Sequence, residues 1–161
     1  MKPLAEKILV LGIDGLDPKL TKKYLAENIM PNTKKFIEAG AQRDDLVLLG
    51  GHPTVTPSMW TTLSRGCYSN VHGITCFWRQ SGIDGMSYNL DSRNCTAEAV
   101  WNCFAEAGKK TLVWHWPGSS WPPSSDSPNL MVVDGTSPGT VGMSTAYIET
   151  EFILGASEEF E

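Results

Sequence analysis

Two hydrophobic patterns alternate along the 161-residue chain: short runs of strand-forming residues and longer stretches with helical spacing. Residues 7–13, Lys-Ile-Leu-Val-Leu-Gly-Ile, predict a strand buried on both faces, as in a parallel sheet. Asp14-Gly15 closes that run. Asp17-Pro18 then offers an N-cap and a proline at the first helical position, predicting a helix to about residue 28. Met30-Pro31-Asn32 breaks it, and a second helix over 33–39 ends at Gly40. Residues 45–49 predict another strand, followed by a loop over 50–53. A third helix opens at Thr56-Pro57 with Thr56 as its cap, carries Met59, Trp60 and Leu63, and stops at Gly66. Residues 78–94 read as a hairpin-like excursion, with Gly82 and Asp84-Gly85 as turn signals. Over 96–107, Ala97, Val100, Trp101 and Phe104 recur at helical spacing, Glu98 suits the first turn, and Gly108 ends the segment. Strands over 110–116 and 130–134 flank a Pro/Ser-rich loop.

Strands alternating with helices predict βαβ units, hence an α/β fold with a mainly parallel sheet flanked by helices. Ligands of such sheets bind at the carboxyl ends of the strands. Asp14 and the segment leading to Thr56 each follow a predicted strand, so topology lets them meet. The length suits one domain, and 41% hydrophobic with 19% charged residues is a globular composition. A net charge of -5 argues against nucleic acid and against anionic membrane surfaces as partners. No segment has the apolar length of a transmembrane helix, and no signal peptide is recognisable. Cys67, Cys76, Cys95 and Cys103 form no CxxC pair, so they read as free thiols of a cytoplasmic protein.

A carboxylate after a buried strand, beside a glycine, is well placed for a divalent cation. Asp14 by itself is equally an Asx turn or helix cap. A hydroxyl at a helix start sits where backbone N–H groups favour phosphate, although Thr56 by itself is equally a plain N-cap. Of the histidines, His72 reads as a turn-bonding residue and His115 as a half-buried strand residue. His52 has no matched partner. Asp134-Gly135 reads as a turn.

The combination says more. Ile13-Asp14-Gly15, Met30-Pro31-Asn32, Pro53-Thr-Val-Thr-Pro-Ser-Met-Trp60, Thr61-Thr-Leu-Ser-Arg-Gly66 and His72-Gly-Ile74 occur in order. Trp101 to Gly108, His115-Trp-Pro-Gly118, Pro122-Pro123 and Met131-Val-Val-Asp-Gly135 continue the series. Over roughly residues 7–138 the chain resembles the type I phosphodiesterase/nucleotide pyrophosphatase family of the alkaline phosphatase superfamily, and within it the bacterial phosphohydrolase/phosphomutase-like branch. The resemblance implies an alkaline phosphatase-like α/β domain of which residues 1–161 are the N-terminal, incomplete part. It implies Asp14 as a metal ligand, and Thr56 as both nucleophile and metal ligand. Two divalent ions, zinc or else manganese, would serve the site, with the remaining ligands outside this chain. The substrate implied is a small phosphate mono- or diester. The reaction implied is hydrolysis or phosphoryl transfer through a phosphothreonine.

Two departures qualify the likeness. Phe77 stands where nucleotide pyrophosphatases carry an asparagine that contacts phosphate, and the chain stops before the family's downstream Asp and His ligands. A haloacid dehalogenase-type phosphatase needs a second aspartate two residues on, where Leu16 stands. A sulfatase needs a cysteine at the position of Thr56. The remaining alternative is a noncatalytic or truncated α/β domain without a complete metal site. An incomplete sheet predicts self-association through its open edge.

Overall fold

Local capping signals shape the N-terminal helices. The computed structural model describes residues 5–43, 54–90, 92–119 and 123–133, and the chain divides into two units, Met1–Val47 and Leu48–Glu161. In the first unit, α1 spans Pro18–Ala26. Asp17 Oδ1 accepts from the Leu20 N–H at 2.7 Å, and Pro18 occupies the first turn, where a missing N–H costs nothing. The helix ends in a Schellman arrangement. Asn28 takes φ 58°, with Ile29 N–H donating to Tyr24 C=O and Asn28 N–H to Leu25 C=O. The next helix, α2, spans Pro31–Glu38. It begins two residues earlier than the sequence pattern suggests, because Pro31 opens the helix instead of breaking the chain before it. Neither helix contains a buried residue.

The run 8–13 departs from expectation. It joins no ladder among the described residues, and Ile8, Leu9, Val10, Leu11 and Ile13 are all exposed, Leu9 to 90%. Strand propensity supplies half of a β-structure; hydrogen-bonded neighbours supply the other half.

The second unit is built on burial. It contains α3 (Thr56–Arg65), the short α4 (Ser69–His72), and a hairpin of β1 (Trp78–Gln80) and β2 (Met86–Tyr88). A 3₁₀ turn at Ser92–Asn94 precedes α5 (Val100–Glu106), β3 (Thr111–Trp114) and β4 (Leu130–Val133). In the hairpin Trp78 faces Tyr88, and Ser81 N–H donates to Gly85 C=O across the turn. β3 and β4 pair in parallel, Thr111 opposite Leu130 and Trp114 opposite Val133. The described residues thus hold one parallel pair and one antiparallel hairpin, a smaller β content than a mainly parallel sheet. Residues 45–49 and Asp134 lie outside the described residues.

α5 starts later than its apolar spacing suggests. Residues 96–99 precede the helix, and Glu98 instead accepts from the Ala99 N–H and the Asn102 amide at the helix start. Its buried face is Trp101, Asn102 and Ala105, whereas Val100 and Phe104 remain about half exposed. Gly108, at φ 79°, ends the helix in a second Schellman arrangement. The core joins Ala99, Trp101 and Ala105 to Val113, Leu130 and Val132, with Trp116 packed against it. All four β4 residues are buried, as expected for a strand covered on both faces.

A parallel pair needs a long crossover. Here the connection is the Pro/Ser-rich stretch 115–129, whose described residues 124–129 are fastened along α5 by polar side chains. Asn102 donates to Ser124 Oγ (2.7 Å), Ser125 donates to Glu106 (2.9 Å), and Ser127 and Asn129 donate to Ala105 C=O (3.0 and 3.2 Å). These bonds satisfy a segment too polar to pack by itself.

Candidate active site

Helix α3 carries the reactive-hydroxyl candidate. Val55 is its N-cap, extended at φ -120° and ψ 151°. Thr56 is therefore the first helical residue and not the cap, with Pro57 directly behind it in the first turn. Proline's fixed φ fits either of the first helical positions, so the Thr-Pro pair places the helix start to within one residue and no closer. The positive end of the helix dipole lies at Thr56 and favours an anion there.

Behind that turn, α3 is held on several sides. Pro57, Ser58, Trp60, Thr61, Thr62 and Ser64 are buried, whereas Leu63 is exposed. The Trp60 ring meets Trp116 edge-on with centroids 4.8 Å apart, and Trp116 Nε1–H donates to Trp60 C=O at 3.4 Å. Trp101 meets the same Trp116 ring at 5.9 Å, and the Arg65 guanidinium lies 5.4 Å from the Trp101 ring. Gly118, at φ 84°, lets the loop after β3 run close to α3: a Cβ there would stand 3.6 Å from Thr61 Oγ1. Trp116, in the segment after β3, therefore packs on the Thr56 helix through its ring and is a packing residue.

His72 secures the other end. It is fully buried, its Nδ1 accepts from the Ile74 N–H at 3.1 Å, and its Nε2 lies 3.0 Å from Thr62 Oγ1. This is the turn-bonding role read from the sequence. His115 differs from the half-buried strand histidine expected. It lies beyond the last β3 residue at φ 47°, exposed, with its ring 5.4 Å from Trp114. The left-handed backbone takes it out of the strand's in–out alternation. His52 lies outside the described residues. Phe77 is half-buried with its ring 6.5 Å from Tyr88, and as an apolar side chain it offers phosphate no donor.

Asp14 belongs to the first unit. It is exposed in a turn with Gly15, whose φ of 68° is a conformation that only glycine adopts at little cost. Asp14 and Thr56 thus lie in different units. Their chemistry suits one purpose: a carboxylate and a hydroxyl are hard oxygen donors of the kind divalent cations take. Among the described residues, no group of three or more His, Cys, Asp or Glu could hold a metal ion. No described helix is long and apolar enough to cross a membrane.

Two features had no signal in the sequence, the bond between His72 and Thr62 and the edge-on contacts of Trp116 with Trp60 and Trp101. Spacing gave no signal for either, since each joins residues brought together only by the fold.

No curated protein and no solved structure matches the chain. The sequence profile described as type I phosphodiesterase / nucleotide pyrophosphatase matches residues 8–153, a span that takes in both Asp14 and Thr56. The chain belongs to that family of phosphoester hydrolases, within the alkaline phosphatase superfamily.

Proposed function

We propose that this chain supplies the nucleophile and one metal ligand of a metal-dependent phosphohydrolase acting on a small phosphate mono- or diester. The observation that carries the reading is a family match over 8–153 in which Thr56 opens a helix held firmly from behind. Thr56 Oγ attacks phosphorus. An O–P bond forms as the bond to the leaving alcohol breaks, and the hydroxyl proton passes to solvent. Water then cleaves the phosphothreonine, releasing phosphate or its monoester and restoring the hydroxyl. The helix dipole at Thr56 stabilises negative charge on the phosphoryl oxygens. Asp14 and Thr56 would hold a divalent ion, zinc or manganese, which supplies Lewis-acid stabilisation of the oxygens at phosphorus. In this reading both units belong to one alkaline phosphatase-like domain. Two ions need more ligands than Asp14 and Thr56, so further donors complete the site. Four free cysteines suit a reducing, cytoplasmic setting.

In the enzyme with its full ligand set, Thr56→Ala abolishes hydrolysis of aryl phosphate esters and Thr56→Ser retains part of it. Near-normal turnover by the alanine variant would remove Thr56 from the mechanism. Residues 1–161 by themselves, supplied with zinc or manganese, should bind metal weakly and show no turnover, because a carboxylate and a hydroxyl are too few ligands. Thr56-dependent hydrolysis by that chain would show instead that the site is complete.

A further inference from the structure

The bonds around His72 reach beyond packing. We propose that His72 is the positioning residue of α3: as a neutral ring it latches the Thr56 helix to the α4 turn, and protonation opens the latch. The catalytic consequence rests on the role proposed for Thr56; the latch itself does not.

The geometry fixes the ring's state. A backbone N–H can only donate, so the 3.1 Å contact from Ile74 requires a lone pair on Nδ1. The ring proton therefore sits on Nε2, where it donates to Thr62 Oγ1 at 3.0 Å. Each nitrogen ties a different element: Nδ1 the chain just after α4, and Nε2 the middle of α3. The backbone of the same segment is tied a third time, by Thr96 N–H to His72 C=O and by the Thr96 hydroxyl to Val71 C=O.

A second ring proton would have to go on Nδ1. It would break the Ile74 bond and place two N–H donors face to face in a fully buried site. Among the described residues, the elements bonded to the ring carry no anionic side chain to offset the charge. α3 contributes Arg65, the α3–α4 link Cys67 and Tyr68, α4 no other charged residue, and the 92–96 turn Arg93 and Cys95. No carboxylate occurs on any of them. Burial, and after it the charge of Arg65, holds His72 below its ordinary value of 6.5. The sign follows. With the folded value lowered, the unfolded chain binds more protons as pH falls below 6.5. The contribution to stability is thus whole above that pH and drains away down to the folded value.

The test is amide hydrogen exchange of the 161-residue chain between pH 7.5 and pH 5, corrected for intrinsic rates, together with ¹⁵N shifts of the His72 ring. At pH 7.5 the ring should show a bare Nδ1 and a protonated Nε2. Toward pH 5 the amides of α3 should lose protection about tenfold while those of α1 keep theirs. His72→Asn, whose amide oxygen can accept from Ile74 without titrating, should abolish that pH response. Thr62→Val should lower α3 protection at every pH and leave the ring tautomer unchanged, which keeps the test decisive if the asparagine variant fails to fold. A flat α3 profile in the wild type, the same profile in His72→Asn, or a protonated Nδ1 at pH 7.5 would overturn the latch. Thr56→Ala should leave the exchange profile as it is, so a failed nucleophile and a failed latch are told apart.

Discussion

The two units reach helical structure by different routes. In the first, α1 is set by Asp17, Pro18 and Asn28, all local signals, and neither α1 nor α2 buries a side chain. In the second, α3 buries six of its ten residues, and a core residue of α5, Trp101, meets the ring of Trp116. Capping bonds decide where a helix begins and ends, and each contributes about 1 kcal/mol. Burial decides whether the helix is held, at about 25 cal/mol per Å² of apolar surface. The strand candidates make the same point more sharply. The run 8–13 is more hydrophobic than Thr111–Trp114, yet only the latter, with Leu130–Val133 beside it, is a strand.

All six tryptophans lie within Leu48–Glu161, so tryptophan fluorescence reports the second unit alone. The largest expected effect is Trp101→Ala, which should cost that unit about 3–5 kcal/mol in urea denaturation followed by fluorescence. A loss below about 1 kcal/mol would mean that the aromatic core does not hold the unit. Gly118→Ala should cost about 1–2 kcal/mol, because its φ of 84° is strained for any residue with a Cβ. A neutral result would show that the loop can leave α3 freely. Asp17→Ala should lower α1 stability by about 1 kcal/mol, seen as lost ellipticity at low urea. Unchanged ellipticity would show that the cap does not set α1. Leu9→Ala, at a side chain 90% exposed, should change stability by less than about 0.5 kcal/mol. A larger cost would show that the apolar run is covered in solution.

Much of this was legible from residue types alone. Asp17-Pro18, Gly108, the hairpin turn at Gly82 to Gly85 and the strands near 111 and 130 all appear where their turn and capping chemistry places them. The failures share one cause. The run 8–13, the late start of α5 and the exposed Val100 and Phe104 all depend on partners that spacing does not identify. The helix that carries Thr56 was legible in the same measure. Thr56 could be assigned to a helix start because Pro57 marks it. The cap itself fell one residue earlier, since proline tolerates either position. The restraints behind Thr56, His72 on Thr62 and Trp116 on Trp60, join positions 10 and 56 residues apart and had no local signature.

The polar crossover between β3 and β4 also bears on the order of folding. α5 and β3 are neighbours in sequence, joined by one glycine turn, and their contacts close a short loop. Pairing β4 must first close the 15 residues of 115–129, at an entropic cost of about 2.4 kcal/mol beyond the length-independent part. Its return comes only once the serine and asparagine bonds to α5 have a formed helix to bind. α5 should therefore nucleate and β4 should dock late. Ala105→Gly should mainly slow refolding, whereas Val132→Ala should mainly speed unfolding. Stopped-flow rates showing the reverse assignment would mean that the parallel pair, and not the helix, is the seed of the second unit.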